Sequence, residues 1–137
     1  MFRNVIPRTM QSILGVNYKQ MCTNMKLEKT INQITLLGRV GNDPQKRGNE
    51  EHPLVTFSLA THSNYKYGNG DFVQRTDWHK ICVFKPMLRD TVTTYLKRGQ
   101  RILVMGKVSY GEYKDEEGHA KPSTAIIAEE IVFFHIP

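Results

Sequence analysis

The chain has 137 residues, 39% of them hydrophobic and 23% charged, which suffices for one domain with a proper core and hardly for two. No apolar run approaches the ~20 residues that span a bilayer. The two cysteines, Cys22 and Cys82, have neither metal nor redox spacing, so no membrane partner, metal or cofactor is expected. The formal charge of +6 is unevenly spread. Arg3, Arg8, Lys19 and Lys26 face no acid within residues 1–26, and without them 15 basic residues stand against 13 acidic. From Glu112 onward acids dominate, so the basic excess of the body lies within residues 27–111.

Residues 1–26 are basic, free of acids and mixed with Ser, Thr and apolar side chains. That is the composition of a mitochondrial transit peptide ending near Lys26. A retained basic arm that touches phosphates has the same composition.

Ile31–Val40 reads as a first strand, broken by Gly41-Asn42-Asp43-Pro44. Lys46–Pro53 is polar and is expected to be a loop. Leu54–His62 is a second strand whose core face holds Val55, Phe57 and Leu59. Its other face carries the small or polar Thr56, Ser58, Ala60 and His62. Ser63–Arg75 reads as a mobile hairpin tip, because Gly68, Asn69 and Gly70 are turn formers. Tyr65, Tyr67 and Phe72 with Lys66 and Arg75 make that tip either a clamp for bases or an oligomer contact.

Thr76–Phe84 is the third strand. Ile81 and Val83 take the core parity, which leaves Trp78, Lys80 and Phe84 on the other face. Two arrangements satisfy this pattern. A second layer buries the aromatics, or an aromatic, a cation and another aromatic face a flexible polyanion with flat bases. Trp78 and Phe84 would then be about 20 Å apart, at ~3.3 Å per residue. Pro86–Arg98 is the one helix, with Leu88, Val92 and Leu96 in a single stripe, Lys97 and Arg98 in its last turn and Gly99 as the stop. Arg101–Tyr113 is a fourth strand with a bend at Gly106, Lys114–Lys121 a charged hairpin tip, and Thr124–Phe134 a closing strand. The predicted class is all-β, a five-stranded OB-fold barrel with one helix between strands 3 and 4. The domain occupies residues 27–137.

LLGRVGNDP (Leu36–Pro44), VTFSLAT (Val55–Thr61), TDWHKICVF (Thr76–Phe84), YLKRGQRILVMGKV (Tyr95–Val108) and the Tyr113-Lys114-Asp115 turn resemble single-stranded DNA-binding proteins. The resemblance runs over roughly residues 30–134. With the basic leader it is to the mitochondrial branch of that family, in the matrix and its nucleoid. It implies sequence-tolerant binding and protection of single-stranded DNA during mitochondrial DNA replication and maintenance. It also implies a homotetramer with no catalytic step, working beside a helicase and a DNA polymerase. It assigns base stacking to Tyr65, Trp78, Phe84 and Tyr113, and a subunit contact to His79. Lys66, Arg75, Lys80, Lys85, Lys97, Arg98 and Lys107 are the candidate phosphate ligands. Two stacking positions filled by Trp in bacterial relatives are Tyr here, and Gly111 and Glu112 replace the usual basic residues before the last ring. The acidic-tipped tail of those relatives has no counterpart after Pro137, so recruitment of partners by that route is not expected.

Two rival classes are weaker. An enzyme has little to build on: Asp77 and His79 share one strand parity, Cys82 takes the other, and no P-loop or nucleophile elbow is present. An RNA-binding or purely protein-binding OB-fold has no positive signature, since no feature reads a 2′-hydroxyl.

Overall fold

The computed structural model of the protein describes residues 27–135. The transit-peptide expectation for residues 1–26 lies outside them. Residues 27–31 form no helix or strand, and all strands and the helix lie within the compact unit that begins at Asn32.

The strands are β1 Ile34–Val40, β2 Gln45–Gly48, β3 Pro53–Lys66, β4 Phe72–Val83, β5 Arg101–Lys114 and β6 Ala120–Phe133. Helix α1, Pro86–Tyr95, lies between β4 and β5. The sheet order is β1-β5-β6-β4-β3-β2. It closes on itself because β1 also pairs with β3, through Arg39 opposite Ala60 and Val40 opposite Leu59. Five strands therefore form the barrel, with the helix where it was predicted, and β2 is added outside on the free edge of β3.

The interior follows strand alternation. Val55, Phe57 and Leu59 of β3 meet Ile81 and Val83 of β4, Ile102 and Val104 of β5, and Ile126 and Ala128 of β6. Val92 and Leu96 cap this core, with Leu88 packed beside them. Near Met105 and Gly106 the β5–β6 register shifts, leaving Glu129 as an extra residue. This bulge bends the ribbon, and a side chain at Gly106 would run into the Ile127 carbonyl. Lys85 Nζ donates to the carbonyl of Glu129 at 3.2 Å.

Three sequence expectations need correction. The predicted loop begins instead with the short strand β2, all of whose residues are exposed. Its order comes from backbone pairing with β3, which side-chain periodicity does not register. The predicted tip at Ser63–Arg75 is mostly regular ribbon. Pairing continues to Lys66 opposite Phe72, and the turn is tied by Tyr67 N–H to the Asp71 carbonyl at 2.9 Å. The helix stops at Tyr95, not Arg98, and Leu96 is already extended. The following turn is captured by other partners. Val40 N–H donates to the Gln100 carbonyl, Gly99 N–H to the Val40 carbonyl, and Arg98 N–H to Asp43 Oδ1. These bonds compete with another helical turn, so Lys97 and Arg98 leave the helix.

Leu59 is completely buried. Leu59→Ala is expected to cost about 2–5 kcal/mol of unfolding free energy, read by urea titration. Cys82 is a buried free thiol. Burial pushes its pKa above the ordinary thiol value, and nearby Lys80 offsets this in part. The folded state thus holds the proton more tightly than the unfolded chain does. This contribution to stability is intact below the unfolded thiol's pKa and is lost as pH rises through the folded one. In a Cys22→Ser background, a thiol reagent at neutral pH should label native Cys82 far more slowly than the urea-unfolded chain.

Candidate nucleic-acid interface

Residues opposite each other on antiparallel strands share a face. The β3–β4 register sets Thr56 opposite Cys82, Ser58 opposite Lys80, Ala60 opposite Trp78, His62 opposite Thr76 and Lys66 opposite Phe72. The alternate pairs, Val55–Val83, Phe57–Ile81 and Leu59–His79, face inward where they reach the barrel. Trp78 therefore points outward and is 63% exposed, which decides against the buried arrangement. A row of outward residues continues across the sheet from Gln45 through Thr56, Cys82 and Ile127 to Lys107.

This surface has an unbalanced charge. The outward parity of β3 and β4 carries Lys66 and Lys80, and β5 from Lys107 onward with its partners on β6 carries Lys107 and Lys121. No carboxylate occupies that parity in these segments; Asp77 and Glu112 lie on the other one. A surface with one sign of charge and exposed aromatic rings attracts a polyanion and gives its bases flat partners.

The Trp78 position is built by the end of β1. Gly41 N–H donates to the Ser58 carbonyl at 2.8 Å, placing Gly41 against the indole. A Cβ there would collide with the ring and lie 2.6 Å from Ser58 Oγ. Asn42 Oδ1 accepts from the Ser58 N–H at 2.8 Å and from its hydroxyl at 2.6 Å. Asn42, Thr56, Ser58, Trp78 and Lys80 then border a depression of about 330 Å³. Sequence reading missed Gly41 and Asn42 as site residues. Their signal was the Gly-Asn-Asp-Pro run, which reads only as a strand breaker.

The other predicted residues divide into groups. Lys80 borders the depression, and Phe84, 46% exposed, follows it on the same parity at the end of β4. Arg98 is held beside this region by Asp43, next in the chain to Asn42, and Lys97 N–H donates to Gln100 Oε1. Lys107 ends the transverse row, while the ammonium of Lys85 is engaged at the β6 bulge. Tyr113, 53% exposed and opposite Lys121, is outward on the β5–β6 ribbon. Lys66 shares the parity of Trp78 and lies 5.5 Å from the Phe72 ring centroid. Tyr65 and Arg75 take the opposite parity. Tyr65 meets Tyr67 edge-on at 5.4 Å, and Arg75 pairs with Asp77 at 3.1 Å. These two therefore sit on the reverse of the ribbon from Trp78.

His79 is half-buried and shares a 2.8 Å hydrogen bond with Thr61 Oγ1. With Asp77 turned to Arg75 and Cys82 on the other face, the sequence-adjacent Asp, His and Cys form no relay.

Gly41→Ala is expected to displace the indole while the barrel stays folded. The readouts are a shift in Trp fluorescence and near-UV circular dichroism with little change in far-UV signal.

The family model described as the single-strand binding protein family matches residues 31–134. A mitochondrial single-stranded DNA-binding protein of Drosophila melanogaster is 64% identical over 109 residues, spanning 80% of this chain and 75% of that protein. One from Danio rerio is 41% identical over 140 residues, spanning 97% of this chain and 94% of that protein. Among solved structures, a Plasmodium falciparum SSB in complex with ssDNA superposes with a TM-score of 0.71 at 30% identity, over 80% of this chain and 99% of that one. A barrel with lysines on its outward face, matched by a family model over all six described strands, places this chain in the single-strand binding protein family, whose members are not enzymes.

Proposed function

We propose that the protein binds single-stranded DNA without strong sequence preference, and coats and protects it during mitochondrial DNA replication and maintenance. The observation that carries this reading is the exposed Trp78 indole, seated on Gly41 beside Lys80, where the outward parity of β3 and β4 carries lysines and no carboxylate. Every base has a π-face, so stacking tolerates any sequence. For OB-folds of this family, stacking is worth about 1–3 kcal/mol per base. Phe84 and Tyr113 extend the stacking surface along β4 and β5. Lys80, Lys107 and Arg98 supply phosphate contacts, and Tyr65, Lys66 and Arg75 supply further contacts on the β3–β4 ribbon. Binding is the whole activity and involves no bond-making step.

The working form is a homotetramer in the mitochondrial matrix and nucleoid, acting beside a helicase and a DNA polymerase. The names of the Drosophila and Danio relatives support the compartment. An outward apolar row of Leu37, Leu103 and Val132 across β1, β5 and β6 supports self-association, because such a row gains by being covered. His79 is the polar residue assigned to a subunit contact.

Titration with oligo-dT at two salt concentrations tests the reading. Trp78 fluorescence should be strongly quenched, and affinity should fall as salt rises. By anisotropy of a labelled oligonucleotide, Trp78→Ala should bind about 5- to 150-fold more weakly with its oligomeric state unchanged. An unquenched indole, or equal affinity at both salt concentrations, would overturn it. Oligo-U of equal length, used as competitor, measures the preference for DNA.

A further inference from the structure

A second cationic depression lies across the β3 edge from Trp78. Strand β2 sets Arg47 opposite Leu54, and Lys46, Arg47 and Leu54 meet Arg89, Asp90 and Thr93 of α1 around a space of about 220 Å³. Most surface lysines and arginines are only solvated charges, but two observations set this group apart. The Nε of Arg89 is buried and has no hydrogen-bond partner, and a buried guanidinium donor is costly to leave unpaired. None of the three cations makes an ion pair among the described residues, and Arg47 is bonded only to the neutral Gln45 side chain at 2.7 Å. Asp90 is the single acid on the lining, so the site keeps an excess of two positive charges.

The site is also continuous with the Trp78 surface. Gln45 of β2 pairs with Thr56, which borders the Trp78 depression. From Ala60, the partner of Trp78, to Leu54, the partner of Arg47, is six residues along β3, or about 20 Å. A single OB-fold covers roughly 4–16 nucleotides, so one strand can occupy both places.

We propose that this depression holds a phosphodiester of the same strand that stacks on Trp78, leading it over β2 onto α1. The proposal rests on the single-stranded DNA reading and adds the direction in which the strand leaves the aromatic surface. Two guanidinium forks and an ammonium suit a phosphate, since arginine presents paired donors to its oxygens. The orphaned Nε of Arg89 would find its acceptor there.

The full chain is titrated with labelled oligo-dT across a salt series by anisotropy, and Trp78 quenching is recorded separately. Lys46→Gln with Arg47→Gln alters only exposed positions on a short edge strand, and Arg89→Gln is measured beside it. For single strands the slope of log K against log salt is about 0.7 per phosphate neutralised. One phosphodiester is held, so loss of the site should flatten the slope by about 0.7 in all. The double variant and Arg89→Gln should each lower it by up to that amount, with maximal Trp78 quenching unchanged. Trp78→Ala should weaken binding with the slope preserved. Should Arg89→Gln misfold, the double variant alone decides. A double variant with the wild-type slope, on a protein whose indole is still quenched, would overturn the proposal and leave the parent reading standing. An unquenched wild-type indole would overturn both.

Discussion

Everything at the outward surface depends on the register between β3 and β4. Twelve residue pairs run without a shift from Val55–Val83 to Lys66–Phe72. Alternation assigns each pair to one side. The inward side of the barrel segment is filled by Phe57, Leu59, Ile81 and Val83, whose burial fixes the register, because a slip of one residue would turn them all to solvent. Trp78 is held outside as a consequence. Its exposure is the other face of a pairing whose energy comes from the core.

The exposed indole is also positioned from beneath. Gly41 at the end of β1 leaves room for the ring, and the side-chain amide of Asn42 fixes Ser58 beside it. A stacking surface that is already oriented loses less entropy when a base arrives. The same chain end anchors the turn after α1, since Val40 exchanges backbone bonds with Gly99 and Gln100 and Asp43 receives the Arg98 amide. The aromatic site and a cationic turn thus share one support.

Electrostatics is organised by parity as much as by composition. Asp77 on the β3–β4 ribbon and Glu112 on the distal β5–β6 ribbon alternate away from Trp78, and Asp77 is paired with Arg75, while the outward Glu130 lies beyond the β6 bulge, opposite Met105. At the β5–β6 tip, Asp115 accepts from the amides of Glu117 and His119 and pairs with Lys121, so its charge is spent on the turn. A modest excess of positive charge is thereby concentrated where the outward parity of β3 and β4 carries no carboxylate.

Local chemistry alone was sufficient for much of this protein. Alternation in Leu54–His62 and Thr76–Phe84 identified the inward residues, turn formers separated the strands, and Pro86 with the Leu88–Val92–Leu96 stripe located the helix. These signals are legible because they depend on a residue and its near neighbours. The extent of the ribbons, the strand β2 and the early end of α1 were not legible, because backbone partners distant in sequence decide them. The same holds for the site. Trp78 and Lys80 could be paired by reading one strand, but Gly41 and Asn42 join them only through barrel closure. Lys107 likewise joins through its pairing with β6, and Tyr65 and Arg75 are turned away by their parity on the ribbon. The sequence by itself determined the chemistry of each side chain and its parity on a strand; tertiary structure decided which side chains share a surface, because only long-range pairing brings separate strands side by side.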